Sequence, residues 1–409
     1  TVSNVSVTPT IGGTAGNDTI VVRRNAQNQI EIDQNGIVRT LFVPLGQVDV
    51  NLVVDVSASA GSDLLIVDYS AGSLPIDITY TGDGMDDRLE LIGSGAEAAT
   101  YAPDSAVAGS GVIDVDVNVI TVVGLEAVGP GIATIELDGL GSFALVTPNS
   151  ADDITLNTVA SAVTGQQGLQ ISGTSGGVMF DAVSLVDVPS VTIDMATEDE
   201  AGSSADTFTL AAGAALSAYS SLASVSVSTG TGADIFNILA SDLRTISGGT
   251  NVLSLDAGSG TDRLNVDTDE ALVVLTDTTL SLGTDASAAP NRGTILLANG
   301  SFTGEVASLT GGVGDTTFDL SNWRNGSSAQ ATINGDTGTD TLRGPNKSNP
   351  ATVVTWDING TDTGTVETFE FSNIDNLTGG NARDRFVFEA AATISGRVDG
   401  GAGTVNTID

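Results

Sequence analysis

A short acidic turn recurs along this 409-residue chain: a glycine-rich stretch, an aspartate, any residue, then a large apolar residue. The fullest copies centre on Asp18, Asp63, Asp234, Asp262, Asp340 and Asp384, as in Gly335-Asp-Thr-Gly-Thr-Asp340-Thr-Leu342. Weaker copies centre on Asp87, Asp152 and Asp206, and Thr316 and Asn406 hold the aspartate position in two degenerate ones. From residue 18 onward the spacings are 45, 24, 65, 54, 28, 28, 54, 24, 44 and 22. Read as single, double and triple steps, they give a unit of about 24 residues, a period that signals a solenoid or propeller. One unit is enough chain for three short strands and three turns, one coil of a three-sided β-helix.

The chain between the motifs supports strands. Asp114-Val-Asp-Val-Asn-Val119, Ile135-Glu-Leu-Asp138 and Asp49-Val-Asn-Leu52 alternate polar and apolar residues, the period of a half-buried strand. The best helix candidate is 211–219, and Gly213 weakens it. The expected fold is therefore all-β, a parallel β-helix with about 24 residues per coil. Tandem β-sandwich domains are the alternative. The expected sections are 1–145, 146–228 and 229–409, or one continuous rod. Residues 128–131 and 197–204 are the candidate breaks.

The motif copies resemble the glycine-aspartate nonapeptide of RTX proteins, G-G-x-G-x-D-x-U-x. Gly379, Gly380, Asp384 and Phe386 match it, with Ala382 in place of a glycine; Gly258, Gly260, Asp262 and Leu264 match it, with Ala257 in first place. The chain is also similar to the strand-repeat regions of giant bacterial surface proteins and adhesins, at 371–380 and at Val398-Asp-Gly-Gly-Ala-Gly403. The resemblance implies a secreted, repetitive, structural or adhesive protein. RTX β-rolls carry nonapeptides in tandem, whereas these copies stand about one coil apart, which favours a larger β-helix with stacked aspartate corners.

Stacked corners raise the question of a metal. Coils about 4.8 Å apart would set carboxylates against each other, a repulsion of about 3 kcal/mol at an effective dielectric near 20. A hard, oxygen-loving cation would turn repulsion into coupling, and calcium (Ca2+) fits best. Asp18, Asp63, Asp87, Asp234, Asp262, Asp340 and Asp384 are the candidate ligands. The competing reading is that aspartate merely caps each corner by bonding backbone amides.

Composition narrows the function. The formal net charge is −38, with 51 acidic residues, 13 basic ones and no histidine. That excludes a basic footprint for nucleic acid and disfavours anionic membrane surfaces. Without histidine or cysteine there is no Ser-His-Asp triad, Cys-His pair or thiolate metal site. No apolar run is long enough for a membrane-spanning helix. Adjacent carboxylates at 86–87 and 152–153 would point to opposite strand faces. Arg88, Arg263 and Arg385, each following a motif aspartate, are the candidate bases of a polysaccharide lyase, or else charge partners on an acidic surface. Only Trp323, Trp356 and four tyrosines could offer a sugar platform. Sequons begin at Asn299, Asn325, Asn359 and Asn376.

The expectation is thus a non-enzymatic, extracellular or cell-surface structural protein. Thr1 reads as a processed start, and neither terminus shows a polar cap in the sequence. Copies are accordingly expected to join end to end into a homopolymeric filament or lattice. An adhesin that binds glycans and a β-helical lyase are the alternatives.

Overall fold

Short strands form wherever apolar residues alternate with polar ones, and glycine, asparagine or aspartate ends each after a few residues. Nearly all regular structure is β. The computed structural model describes residues 5–41, 48–57, 61–82, 86–125, 134–148, 151–161, 164–197, 205–239, 243, 253–287, 290, 293–297, 306–323 and 330–409. The candidate breaks at 128–131 and 198–204 and the sequons at Asn299 and Asn325 lie outside them. The chain forms two compact units, Thr1–Glu200 with Ala218–Val225, and Ala201–Ser217 with Ser226–Asp409.

In the first unit the chain passes alternately between two sheets. Thr19–Arg24, Leu64–Asp68 and Arg88–Ile92 lie in the first, while Val48–Asp55 and Asp77–Thr81 lie in the second. Each strand pairs in parallel with its counterpart one passage earlier. The first sheet continues through Ile135–Asp138 to Val183–Val186, also in parallel. Register stacks like residues into apolar columns: Ile20, Leu65, Leu89, Ile135 and Val183 form one, and Val22, Val67, Leu91, Leu137 and Leu185 another. All ten are buried, each contributing roughly 1.5–3 kcal/mol of hydrophobic stabilisation before entropic offsets. Tyr80 points inward from the second sheet and donates to the Asp63 carbonyl at a corner of the first (3.3 Å).

The second unit repeats the scheme. Thr207–Leu210, Ile235–Ile238, Arg263–Asp267, Val306–Thr310, Gln330–Asn334 and Phe369–Ser372 pair in parallel, one after another. Phe208, Phe236, Leu264, Ala307, Ala331 and Phe369 form one buried column. Its second sheet runs in parallel through Leu272–Leu275, Thr317–Asp319, Thr341–Arg343 and Asn376–Thr378. A short parallel pair, Thr231–Gly232 with Ser259–Gly260, stands apart from both sheets. Parallel pairing on this scale differs from the antiparallel sheets of Greek-key sandwiches.

Antiparallel hairpins interrupt the parallel ladders, and they correct the reading of the long spacings. Residues 18 and 63 are direct neighbours across one step, because Ile30–Gln34 and Ile37–Leu41 fold back on Thr19–Arg24 instead of forming another passage. The 45-residue spacing is therefore one passage with an inserted hairpin, not two units. Residues 114–119 are not one strand: Gly111–Val115 and Asn118–Val123 meet at a tight turn with Asp116 at φ 55°. The helix candidate reduces to a single 3₁₀ turn, Leu216–Ala218.

Candidate functional site: the buried aspartate columns

Each motif aspartate stands at or just before the start of a strand, where the chain turns inward. That placement buries it: Asp18, Asp63, Asp87, Asp206, Asp234, Asp262, Asp340 and Asp384 are each at most 2% exposed. The structure brings them together, but in several columns rather than one. Asp18, Asp63 and Asp87 line one corner of the first unit, and Asp206, Asp234 and Asp262 one corner of the second. Asp340 belongs elsewhere, between Thr316 and Asp375 at the head of the second unit's second sheet. Asp384 stacks on Asn406. Asp152 opens a hairpin strand and accepts from Thr147 Oγ1 (2.5 Å).

Within a column one bonding rule repeats. The backbone N–H of each aspartate donates to the carboxylate of the next: Asp18 to Asp63 at 2.6 Å, Asp63 to Asp87 at 3.0 Å, Asp206 to Asp234 at 2.9 Å and Asp234 to Asp262 at 3.0 Å. Thr316 donates to Asp340 at 2.7 Å and Asp340 to Asp375 at 2.9 Å. The carbonyl of each aspartate meanwhile accepts the first N–H of the next strand, as Leu64 to Asp18 and Arg263 to Asp234, both 2.8 Å. Two bonds thus clamp each step, one of them charge-assisted and worth roughly 1.5–3 kcal/mol. Asn406 shows that the charge is dispensable to the geometry, since its Oδ1 accepts the Asp384 N–H at 2.9 Å.

The motif glycine has a steric cause. A Cβ at Gly82, Gly335 or Gly379 would lie 2.7, 2.6 or 2.5 Å from Oδ2 of Asp87, Asp340 or Asp384, five residues on. The carboxylate occupies the space a side chain would need.

Burial acts on the carboxyls unequally. Asp340 is pushed up to about 6, first by desolvation and then by the charges of Asp375, Asp315 and Asp336, against the opposing Thr316 N–H. Asp384 is raised by desolvation, opposed by donors on Trp356 and Gly380. For Asp18, burial is the largest single influence and raises it, but hydrogen bonds from Thr14, Asn35 and Gln34 together bring it below the ordinary range.

Asp375 was missed by the motif search, although Asp375-Asn-Leu377 carries the aspartate and the apolar residue two positions on; it lacks only the preceding glycines. Among the described residues no group of three or more carboxylates converges to hold a metal ion. A calcium shell needs six to eight oxygens, and here amides take one oxygen of each bonded aspartate.

The other candidates do not assemble. Asp86 and Asp153 are exposed while Asp87 and Asp152 are buried, so each adjacent pair points apart. Arg88 lies 3.6 Å from Glu136, Arg385 pairs with Asp409 at 2.5 Å, and Arg263 is exposed. Both tryptophans and all four tyrosines are buried, leaving neither residue type as a flat sugar platform. An open groove of about 450 Å³ beside Gly93, Gly139, Leu140 and Pro189 holds one carboxylate, Asp187, which accepts from Ser221. No helix is long and apolar enough to cross a membrane among the described residues. Comparison of the sequence with protein-family models and with curated proteins gives no match.

Proposed function

We propose that this chain is an extracellular structural protein, each unit a stretch of β-solenoid whose successive coils are locked in register by buried aspartate columns. The observation that carries the reading is the bonding rule itself. The residues that a sequence reader would assign to chemistry are spent on holding one passage of chain against the next. A strongly acidic surface, with a formal charge of −38, keeps such a protein soluble. The burial of tryptophan and tyrosine speaks against the glycan-binding alternative, and the pairing of Arg88 with Glu136 and of Arg385 with Asp409 speaks against a lyase.

A second reading adds calcium to the same columns. Asp340 favours it, because its Oδ2 is buried and accepts no hydrogen bond among the described residues.

Immunogold labelling of source cells, together with a polysaccharide turnover screen and a glycan array, tests the function. Labelling confined to the cell surface or matrix, with no turnover and no glycan bound, is the expected result. Cytoplasmic labelling, or turnover lost in Arg88→Ala, would overturn it.

A further inference from the structure

The first column has an unusual beginning. Every later aspartate there receives an N–H from the aspartate one passage earlier, and each following strand donates its first N–H to that earlier aspartate's carbonyl. Asp18 has no described aspartate on that side. Both missing partners are supplied by the single side chain of Asn35. Its Nδ2 donates to Asp18 Oδ1 at 2.5 Å, and its Oδ1 accepts the Thr19 N–H at 2.9 Å. One carboxamide thus does what the peptide group of a preceding coil does elsewhere. Thr14 completes the set, its N–H donating to Asp18 Oδ2 at 2.5 Å.

Asn35 reaches this place because of its turn. Gln34 pairs with Ile37, so Asn35 and Gly36 form a two-residue hairpin loop with φ 53° and 83°. Those left-handed values define the type I′ turn that Asn-Gly favours. Beyond the turn, Ile37–Leu41 is the outermost described strand of the sheet. Arg39 pairs with Ile32, which pairs with Val22, so it occupies the core-facing row that runs on through Val67, Leu91, Leu137 and Leu185. An exposed cation therefore stands where that column would take its next apolar residue. Inward-facing charge on an edge strand is a recognised obstacle to further pairing.

We infer that the hairpin 30–41 is a built-in end cap of the first unit's strand stack, in which the Asn35 amide substitutes for a missing coil and Arg39 keeps the edge from pairing. The inference stands independently of the proposed function. It runs against end-to-end joining of copies through this edge.

A side-chain donor also reaches a motif carboxylate in the second unit. At Asp384, beside the parallel strand Val353–Gly360, the indole N–H of Trp356 donates to Oδ1 at 2.9 Å.

Two measurements on the full chain test the cap. In Asn35→Ala, exchange of the Thr19 amide should accelerate about tenfold, the effect of losing one net hydrogen bond, and the Asp18 carboxyl should titrate at higher pH. Asn35→Asp should keep the Thr19 bond, through a carboxylate oxygen, while still raising Asp18. Unchanged exchange and titration in both variants would overturn the role of Asn35. Arg39→Val, at an exposed position that should not disturb folding, should self-associate in sedimentation velocity, whereas wild type and Arg39→Lys should show no association through this edge. Equal sedimentation of all three would overturn the edge-blocking role.

Discussion

Replacement of Asp234 by alanine and by asparagine separates a structural clamp from an ion ligand. Asp234 lies in the middle of its column, fully buried, accepting the Asp206 N–H at 2.9 Å and donating its own N–H to Asp262 at 3.0 Å. Alanine removes the acceptor and leaves the Asp206 amide buried without it. The cost is that of a charge-assisted hydrogen bond plus an unmet donor, about 2–3 kcal/mol. In a unit of this size that corresponds to roughly 4–12 °C in Tm. It also opens the Asp206 amide to exchange by about 30- to 150-fold. Asparagine keeps an oxygen in the same place, as Asn406 does beneath Asp384, and relieves repulsion between neighbouring carboxylates. Asp234→Asn is therefore expected within about 1 kcal/mol of wild type. Thermal unfolding followed by circular dichroism, with amide exchange at Asp206, reads both. If asparagine proves as damaging as alanine, the negative charge itself is required and the clamp argument fails. If alanine costs nothing, the ladder does not hold the coils.

Asp340 should respond in the opposite sense to pH. Its native carboxyl titrates at about 6 and its unfolded value is 3.8, so between those values the native state holds the extra proton. Stability from this group is then full below about pH 4 and lost as pH rises through 6, by up to about 3 kcal/mol; Asp340→Asn should abolish that slope and raise Tm at pH 7. The depressed carboxyl of Asp18 works the other way, its contribution present above pH 3.8 and lost on further acidification. Gly335→Ala should cost several kcal/mol, because its Cβ would meet the Asn373 carbonyl and lie 2.6 Å from Asp340 Oδ2; a Tm within a degree of wild type would refute the steric account of the motif glycine. Calcium should raise Tm by many degrees over chelator if the second reading holds, by mass action on the native state, and Tm independent of calcium would dismiss that reading.

The strands were legible because period-two alternation and β-branched residues act locally, and Ile135–Asp138 and Val48–Asp55 fall where the alternation put them. The corner motif was legible in part for a steric reason: at three copies the carboxylate fills the space of a Cβ five residues earlier, and Gly82, Gly335 and Gly379 are the trace, whereas Thr229 and Ala257 hold that place before Asp234 and Asp262. The number of chain passages was not legible from spacing. A hairpin inserted into one sheet lengthens the chain between two aspartates without separating them in space, so 45 residues between Asp18 and Asp63 looked like two steps. The Asn35-Gly36 pair between two alternating segments was the available sign of that hairpin. Residues 114–119 failed because Asp116 and Val117 continue the polar-apolar alternation through a turn, and alternation cannot distinguish a strand from two strands meeting.

The same logic explains why the capping and metal readings of the motif could not be told apart in sequence. Both demand an oxygen-bearing side chain at a glycine-lined corner, repeated once per passage. They differ only in what approaches that oxygen. A parallel neighbour about 4.8 Å distant brings its own backbone amide to the corner, so one donor to the carboxylate arrives with the fold. At Asp18, where no described aspartate precedes in the column, the donor comes from the side chain of Asn35. An asparagine looks unremarkable in a linear sequence; Asn35 acquires meaning only once the register that leaves the Asp18 carboxylate without a preceding amide is known.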